Sequence, residues 1–176
     1  MGRPHARSAC ATAALRGGTC SRSTCSRSSR TCSRSLISTG PTSRIGRVDV
    51  VTDASALLAV VLNEPERDSI IVATQGASLI APQALPFEIG NALIAMRKRR
   101  RIEEDVILPA WKAARQIPVR LVPVEMEAAL TLALAQGIYA YDAYYLQCAL
   151  SSRRPLVSLD GKMRDVAKEL GIQLLV

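Results

Sequence analysis

The chain has 176 residues and a formal net charge of +8, from 23 Lys and Arg against 15 Asp and Glu. A basic balance of this kind invites a nucleic-acid partner, but nine Arg and no acid fall within residues 1–47, so residues 48–176 carry 14 basic and 15 acidic residues and are nearly neutral. The sole histidine, His5, lies in the tail, which excludes Ser-His-Asp and Cys-His catalysis and His-ligated zinc from the body.

Residues 1–47 are of low complexity. Cys-Ser-Arg-Ser recurs at 20–23, 25–28 and 32–35, and large apolar residues are few and without period. Such a segment cannot bury enough surface to offset its ordering entropy, so a disordered tail is expected. An organelle transit peptide, a nucleic-acid-binding arm and a start codon assigned too far upstream all fit it. The last is favoured, because apolar patterning begins abruptly at Val48. Four of the five cysteines (Cys10, Cys20, Cys25, Cys32) sit in the tail at spacings unlike those of zinc sites. Cys148, in an apolar helical pattern, reads as a small buried thiol. No run of about 18 apolar residues occurs, nor a compact secretory signal, so a cytoplasmic location without membrane contact is expected.

In the body, Val48–Thr52 reads as a buried strand ending at Asp53, followed by a helix over Ser55–Leu62. Pro65 opens a second helix, with Glu64, Glu66 and Asp68 suiting its start, and Gly76 ends it. Ser78–Ala81 is a short strand. A long helix follows over Pro82–Arg99, closing in the basic run Arg97–Arg101. Glu103–Gln116 is helical, Val119–Val124 a strand, and Glu125–Gln136 a helix stopped by Gly137. Tyr141–Arg153 is a helix, Leu156–Leu159 a strand, Lys162–Leu170 a helix, and Ile172–Val176 a last strand. Strands separated by helices imply parallel crossovers. The expected fold is therefore α/β, a three-layer α/β/α domain around a parallel central sheet.

Four acids occupy informative places. Asp53 and Asp160 each follow an apolar strand, and in open parallel sheets ligands bind beyond the carboxyl ends of the strands. Glu88 lies mid-helix between Phe87 and Ile89, and Asp142 near a helix start in Ala140–Tyr145. Asp53 and Asp160 could equally be N-caps, and Asp142 a carboxylate facing the helix dipole. Glu88 has no capping role, and an unpaired acid among apolar residues is costly. Four carboxylates in one cleft would stay ionised together only around cations, and oxygen-only ligation points to Mg²⁺ or Mn²⁺. Such a site can make water a nucleophile and clamp a phosphodiester.

These acids sit in four ordered motifs. Val50-Val-Thr-Asp53-Ala-Ser55-Ala-Leu-Leu58 resembles the opening motif of PIN domains. Phe87-Glu88-Ile-Gly-Asn91-Ala-Leu93 is similar to their second motif, Tyr141-Asp142-Ala-Tyr-Tyr145 to the third, and Leu156-Val-Ser-Leu-Asp160 to the fourth. Each is weak alone; four in order are specific, and together they span residues 48–176. The resemblance extends to the VapC-like ribonuclease toxins of type II toxin–antitoxin pairs. It implies a Mg²⁺- or Mn²⁺-dependent endoribonuclease in which Asp53, Glu88, Asp142 and Asp160 hold the metal and carry catalysis. It also implies products with a 5′-phosphate and a 3′-hydroxyl, a cognate antitoxin seated in the acidic cleft, and a homodimer formed through the helical face. Ser55 matches the family's supporting hydroxyl, and Asn91 stands one turn from Glu88, suiting a hydrogen bond to it. Ser158 stands where the fourth motif often carries Thr.

Beyond the motifs, all four tyrosines fall within residues 139–145. Core packing is favoured for most of them, with Tyr141 the candidate for stacking on RNA. Arg97, Lys98 and Arg99 could grip RNA phosphates or an antitoxin, although a solvated helix end is the favoured reading of that run. Trp111 reads as an interface or core residue. The competing function is a PIN-like RNA- or protein-binding module without turnover. A dinucleotide-binding domain is disfavoured because Asp53-Ala-Ser-Ala lacks the glycines of a phosphate-binding turn. A phosphoryl-acceptor domain would leave Glu88 and Asp142 without a role.

Overall fold

The computed structural model describes residues 47–176. The expectations for residues 1–46 lie outside the described residues.

A four-stranded parallel sheet runs in the order β3-β2-β1-β4. Its strands are β1 (Asp49–Thr52), β2 (Ser78–Pro82), β3 (Val119–Val122) and β4 (Leu156–Val157). Helices α1 (Ala54–Val61) and α2 (Arg67–Ala73) link β1 to β2, and α3 (Leu85–Lys98) and α4 (Glu104–Ala114) link β2 to β3. Helices α5 (Met126–Gln136) and α6 (Ala140–Ser152) carry the chain back to β4, and α7 (Gly161–Glu169) follows. The alternation of strand side chains separates two apolar cores. Val51, Ile80 and Leu156 join the larger one with α3, α4 and α6, while Val50 and Val157 join a smaller one with Ala56, Ala59 and Ile70. The α/β architecture with a parallel sheet is therefore as expected, with apolar packing on both faces.

Several element ends depart from expectation: α2 opens at Arg67 rather than Pro65 and closes at Ala73, ahead of Gly76, and β4 stops at Val157 rather than Leu159. The long helix begins at Leu85 rather than Pro82, because Ala81 and Pro82 continue the β2 ladder opposite Leu121 and Val122. The third strand stops at Val122, ahead of Pro123, which has no N–H to donate. The last expected strand, Ile172–Val176, is reduced to a single parallel bridge between Leu174 and Leu156. Its neighbour β4 has only two residues, too short to template a longer ladder. Helix stops follow local chemistry: Gly137 caps α5 in the left-handed region at φ 60°, where a glycine carries no Cβ penalty.

The strand order positions the site. The chain moves from β1 outward to β2 and β3, then returns to place β4 on the other side of β1. The order therefore reverses between β1 and β4, and the crevice at their carboxyl ends is the switch point where parallel α/β sheets bind ligands. Among the described residues, no helix is long and apolar enough to cross a membrane.

Candidate active site

Asp53 and Asp160 flank that crevice. Asp53 directly follows β1, is 1% exposed and caps α1, its Oδ1 accepting the Ala56 N–H at 2.9 Å. The Ser55 hydroxyl is shared between its two oxygens at 2.9 and 2.8 Å, and the buried Ser158 hydroxyl donates to Oδ2 at 2.6 Å. Both serines also tie Asp53 to the chain after β4. Ser55 Oγ accepts the Leu159 N–H at 2.9 Å, and Ser158 Oγ accepts the Asp160 N–H at 3.1 Å. Burial raises the pKa of Asp53 above the usual carboxylate value, with a further push from Asp160; the donors from Ser158, Ala56 and Ser55 oppose it. Asp160 is exposed and caps α7, its Oδ1 accepting the Met163 N–H at 2.8 Å. The capping role and a place in the site are thus compatible for both acids.

Two helices bring the other acids. Leu85, Ile89 and Leu93 bury one stripe of α3, and Glu88 lies half-buried beside it. Burial pushes the Glu88 carboxyl from the ordinary 4.5 up to about 7, with Asp53, Asp142 and Asp160 adding to the rise and Tyr145 opposing it. Asp142 stands half-buried in the first turn of α6. Burial and then Asp160 raise its pKa, against the Lys162 ammonium. Asp53, Glu88, Asp142 and Asp160 thus form one electrostatic unit in which neighbouring acids disfavour ionisation.

The donor chemistry fits a hard divalent ion: four carboxylates and no nitrogen or sulfur. One oxygen of Glu88, Oε2, is buried and has no hydrogen-bond partner among the described residues. Among the described residues, no three His, Cys, Asp or Glu side chains stand at ion-binding spacing. The acids therefore act on one another through space and do not form a closed cage.

Other expected residues are placed unevenly. Asn91 is exposed and makes no hydrogen bond to Glu88 among the described residues. A step of three residues turns about −60° and a step of four about +40°, so Asn91 lies on the solvent flank of Glu88 and the half-buried Ala92 on its inner flank. Tyr141 is 43% exposed and pairs with Tyr144, ring centroids 5.7 Å apart. Arg97 is half-buried, and Lys98 and Arg99 are exposed. Arg99 lines a cavity of about 410 Å³ together with Arg101, Glu64, Ser55 and Asp160. It stands eleven residues after Glu88, about three helical turns, and so returns to the Glu88 side of α3; this spacing was available in the sequence. Arg101 is held by Glu64 at 3.1 Å. Cys148 is buried as expected, and burial pushes its thiol up to about 11.

Sequence reasoning missed two polar residues. Ser158 was noted only as a departure from Thr, yet it joins Asp53 to the Asp160 backbone. Lys162, two residues after Asp160, opposes the rise at Asp142 and donates to the Gly137 carbonyl at 3.1 Å.

The PIN domain family matches residues 50–169, and the chain belongs to that family. Among solved structures it is similar to PAE2754 from Pyrobaculum aerophilum, with 25% identity and a TM-score of 0.56 over 73% of this chain and 84% of that one. It is also similar to VapC20 from Mycobacterium tuberculosis, a sarcin-ricin loop cleaving toxin, with 12% identity and a TM-score of 0.50 over 66% of this chain and 94% of that one. At 12% identity the second likeness carries the fold alone. No curated protein matches the chain.

Proposed function

We propose that the protein is a metal-dependent endoribonuclease acting as the toxin of a toxin–antitoxin pair, with Asp53, Glu88, Asp142 and Asp160 holding Mg²⁺ or Mn²⁺. The observation that carries this reading is the gathering of Asp53 and Asp160 at the carboxyl ends of β1 and β4, with Glu88 and Asp142 near enough for the acids to act on one another. Burying an unpaired carboxylate is costly, and a hard cation shared by these acids offsets that cost. When bound, such an ion supplies Lewis acidity that activates water and offsets charge on a phosphodiester.

The chain's own residues do the remaining work. Ser55 and Ser158 fix the Asp53 carboxylate, so its oxygens hold their direction without reorganising during the reaction. Asp160 spends one oxygen on the α7 cap and keeps the other for the crevice. Arg99, on the wall of the cavity that Asp160 also lines, provides a cation for an RNA phosphate. Tyr141, part-exposed beside Asp142, provides a ring for base stacking. Arg97 and Lys98 extend the positive charge outward, toward RNA or antitoxin.

A protein partner is supported by apolar surface. Phe87 and Leu134 are 71% and 85% exposed, and an apolar cavity of about 370 Å³ is lined by Leu57, Leu85, Ile89 and Trp111. Exposed apolar patches mark interaction sites. We assign them to a cognate antitoxin and a homodimer contact, and the activity to the cytoplasm, where both RNA and antitoxin reside. Residues 48–176 form the nuclease domain in this reading.

The test of function is cleavage of RNA by the purified chain with Mg²⁺ or Mn²⁺. Wild type cuts and is stopped by chelation, and Asp53→Asn and Asp142→Asn do not cut. Full metal-dependent cleavage by both variants would falsify the assignment. Metal binding without turnover would favour the RNA- or protein-binding module instead.

A further inference from the structure

The Tyr145 side chain is the largest of those fully buried, with 0% exposure. Its hydroxyl is enclosed and has no hydrogen-bond partner within 3.5 Å among the described residues, and the same is true of Glu88 Oε2. Buried polar groups are almost always paired, so two orphans demand an explanation. Here the two belong together, because the hydroxyl lies within interaction range of the Glu88 carboxylate. One is a donor and the other an acceptor. The other groups that act on Glu88 are Asp53, Asp142 and Asp160, all carboxylates with nothing to donate when ionised.

Position on α6 explains why a tyrosine reaches this point. Asp142 and Tyr145 are three residues apart and share a helix face, so one helix delivers both an acid and a donor toward Glu88. The ring packs within the larger core and fixes the height of the hydroxyl. Packing alone would need only Phe at a site this enclosed, and a bare buried hydroxyl is a cost with no return.

We propose that Tyr145 is a positioning residue for Glu88. Its hydroxyl donates to one carboxylate oxygen and turns the other toward the crevice, where a divalent ion is held. This inference rests on the metal-nuclease reading above. It adds a residue outside the acidic quartet, acting on the ion only through Glu88.

The test is Tyr145→Phe in the full chain, which removes one oxygen and keeps the ring. Mn²⁺ affinity is measured by calorimetry or by the paramagnetic resonance of free Mn²⁺, without RNA. Loss of such a supporting hydrogen bond costs about 10–100-fold in metal affinity, and a loss in that range is expected. The melting temperature in EDTA should fall modestly, since the variant leaves the buried Glu88 oxygen without its donor. In the Glu88→Gln background, Tyr145→Phe should cause no further loss of Mn²⁺ affinity. Unchanged Mn²⁺ affinity in Tyr145→Phe overturns the positioning role while leaving the metal reading intact. An equal loss in both backgrounds also overturns it, because Tyr145 would then act independently of Glu88. Absence of Mn²⁺ binding by the wild type sinks the metal reading, and the positioning role with it.

Discussion

Glu88→Gln should stabilise the metal-free protein at pH 8 and do so far less at pH 5. The Glu88 carboxyl is moved from 4.5 to about 7 chiefly by burial, so the folded state binds its proton more tightly than the unfolded state. The folded chain therefore holds more protons between these values, and stability falls as pH rises through that window. At about 1.4 kcal/mol for each tenfold change in proton affinity, the full shift corresponds to about 3 kcal/mol. Glu88 is partly open to solvent, and screening reduces the expected effect to about 1–2 kcal/mol. A domain of this size moves by about 3–5 °C per kcal/mol, so the variant should melt about 3–10 °C above wild type at pH 8. The assay is thermal unfolding by circular dichroism in EDTA at both pH values. Adding saturating Mn²⁺ should reverse the order, because binding to the folded state stabilises the better ligand set. An equal offset at pH 5 and pH 8, or a less stable variant at pH 8 in EDTA, would refute the electrostatic account of Glu88.

Ser158→Ala removes a donor to the buried Asp53 carboxylate and an acceptor for the Asp160 N–H. Hydrogen bonds to charged groups contribute about 1.5–3 kcal/mol, so denaturant titration should show a loss of that order, together with weaker Mn²⁺ binding. Asp160→Asn keeps a capping side chain and should abolish RNA cleavage at near wild-type stability, whereas Asp160→Ala should lose about 1 kcal/mol as well; equal melting temperatures for the two would argue against the cap. Gly137→Ala should cost about 1–2 kcal/mol, because φ is 60° there. Among the described residues no atom lies within 4 Å of an added Cβ at that position, so the loss should be conformational and smaller with Asn; equal destabilisation by Ala and Asn would contradict this.

Local chemistry made most of the fold legible. Asp53 and Asp160 were readable as caps, Gly137 as a stop, and β1 as a run of apolar residues ending in an acid, since each depends on near neighbours along the chain. Ile172–Val176 was not readable correctly, because its pairing depends on β4, a partner of two residues. At the site, the four acids were legible by motif but their surroundings were not. The rotation of α3 against the sheet decides that Asn91 faces solvent while Arg99 lines the cavity beside Asp160, and small shifts in a helix's phase are invisible to spacing alone. Tyr145 looked like its three neighbouring tyrosines; only burial separates it from Tyr139, which is 78% exposed.

The four acids hang on two different kinds of support. Asp53 and Asp160 extend from paired strands, and backbone hydrogen bonds together with Ser55 and Ser158 hold their spacing. Glu88 and Asp142 ride on α3 and α6, whose seats depend on how side chains such as Ile89, Leu93, Leu146 and Ala149 fill the core. A cavity opened under either helix would tilt half of the quartet while the other half stayed registered. Core substitutions there should accordingly silence the proposed activity well before they unfold the domain, so that loss of activity and loss of fold separate along one series of variants.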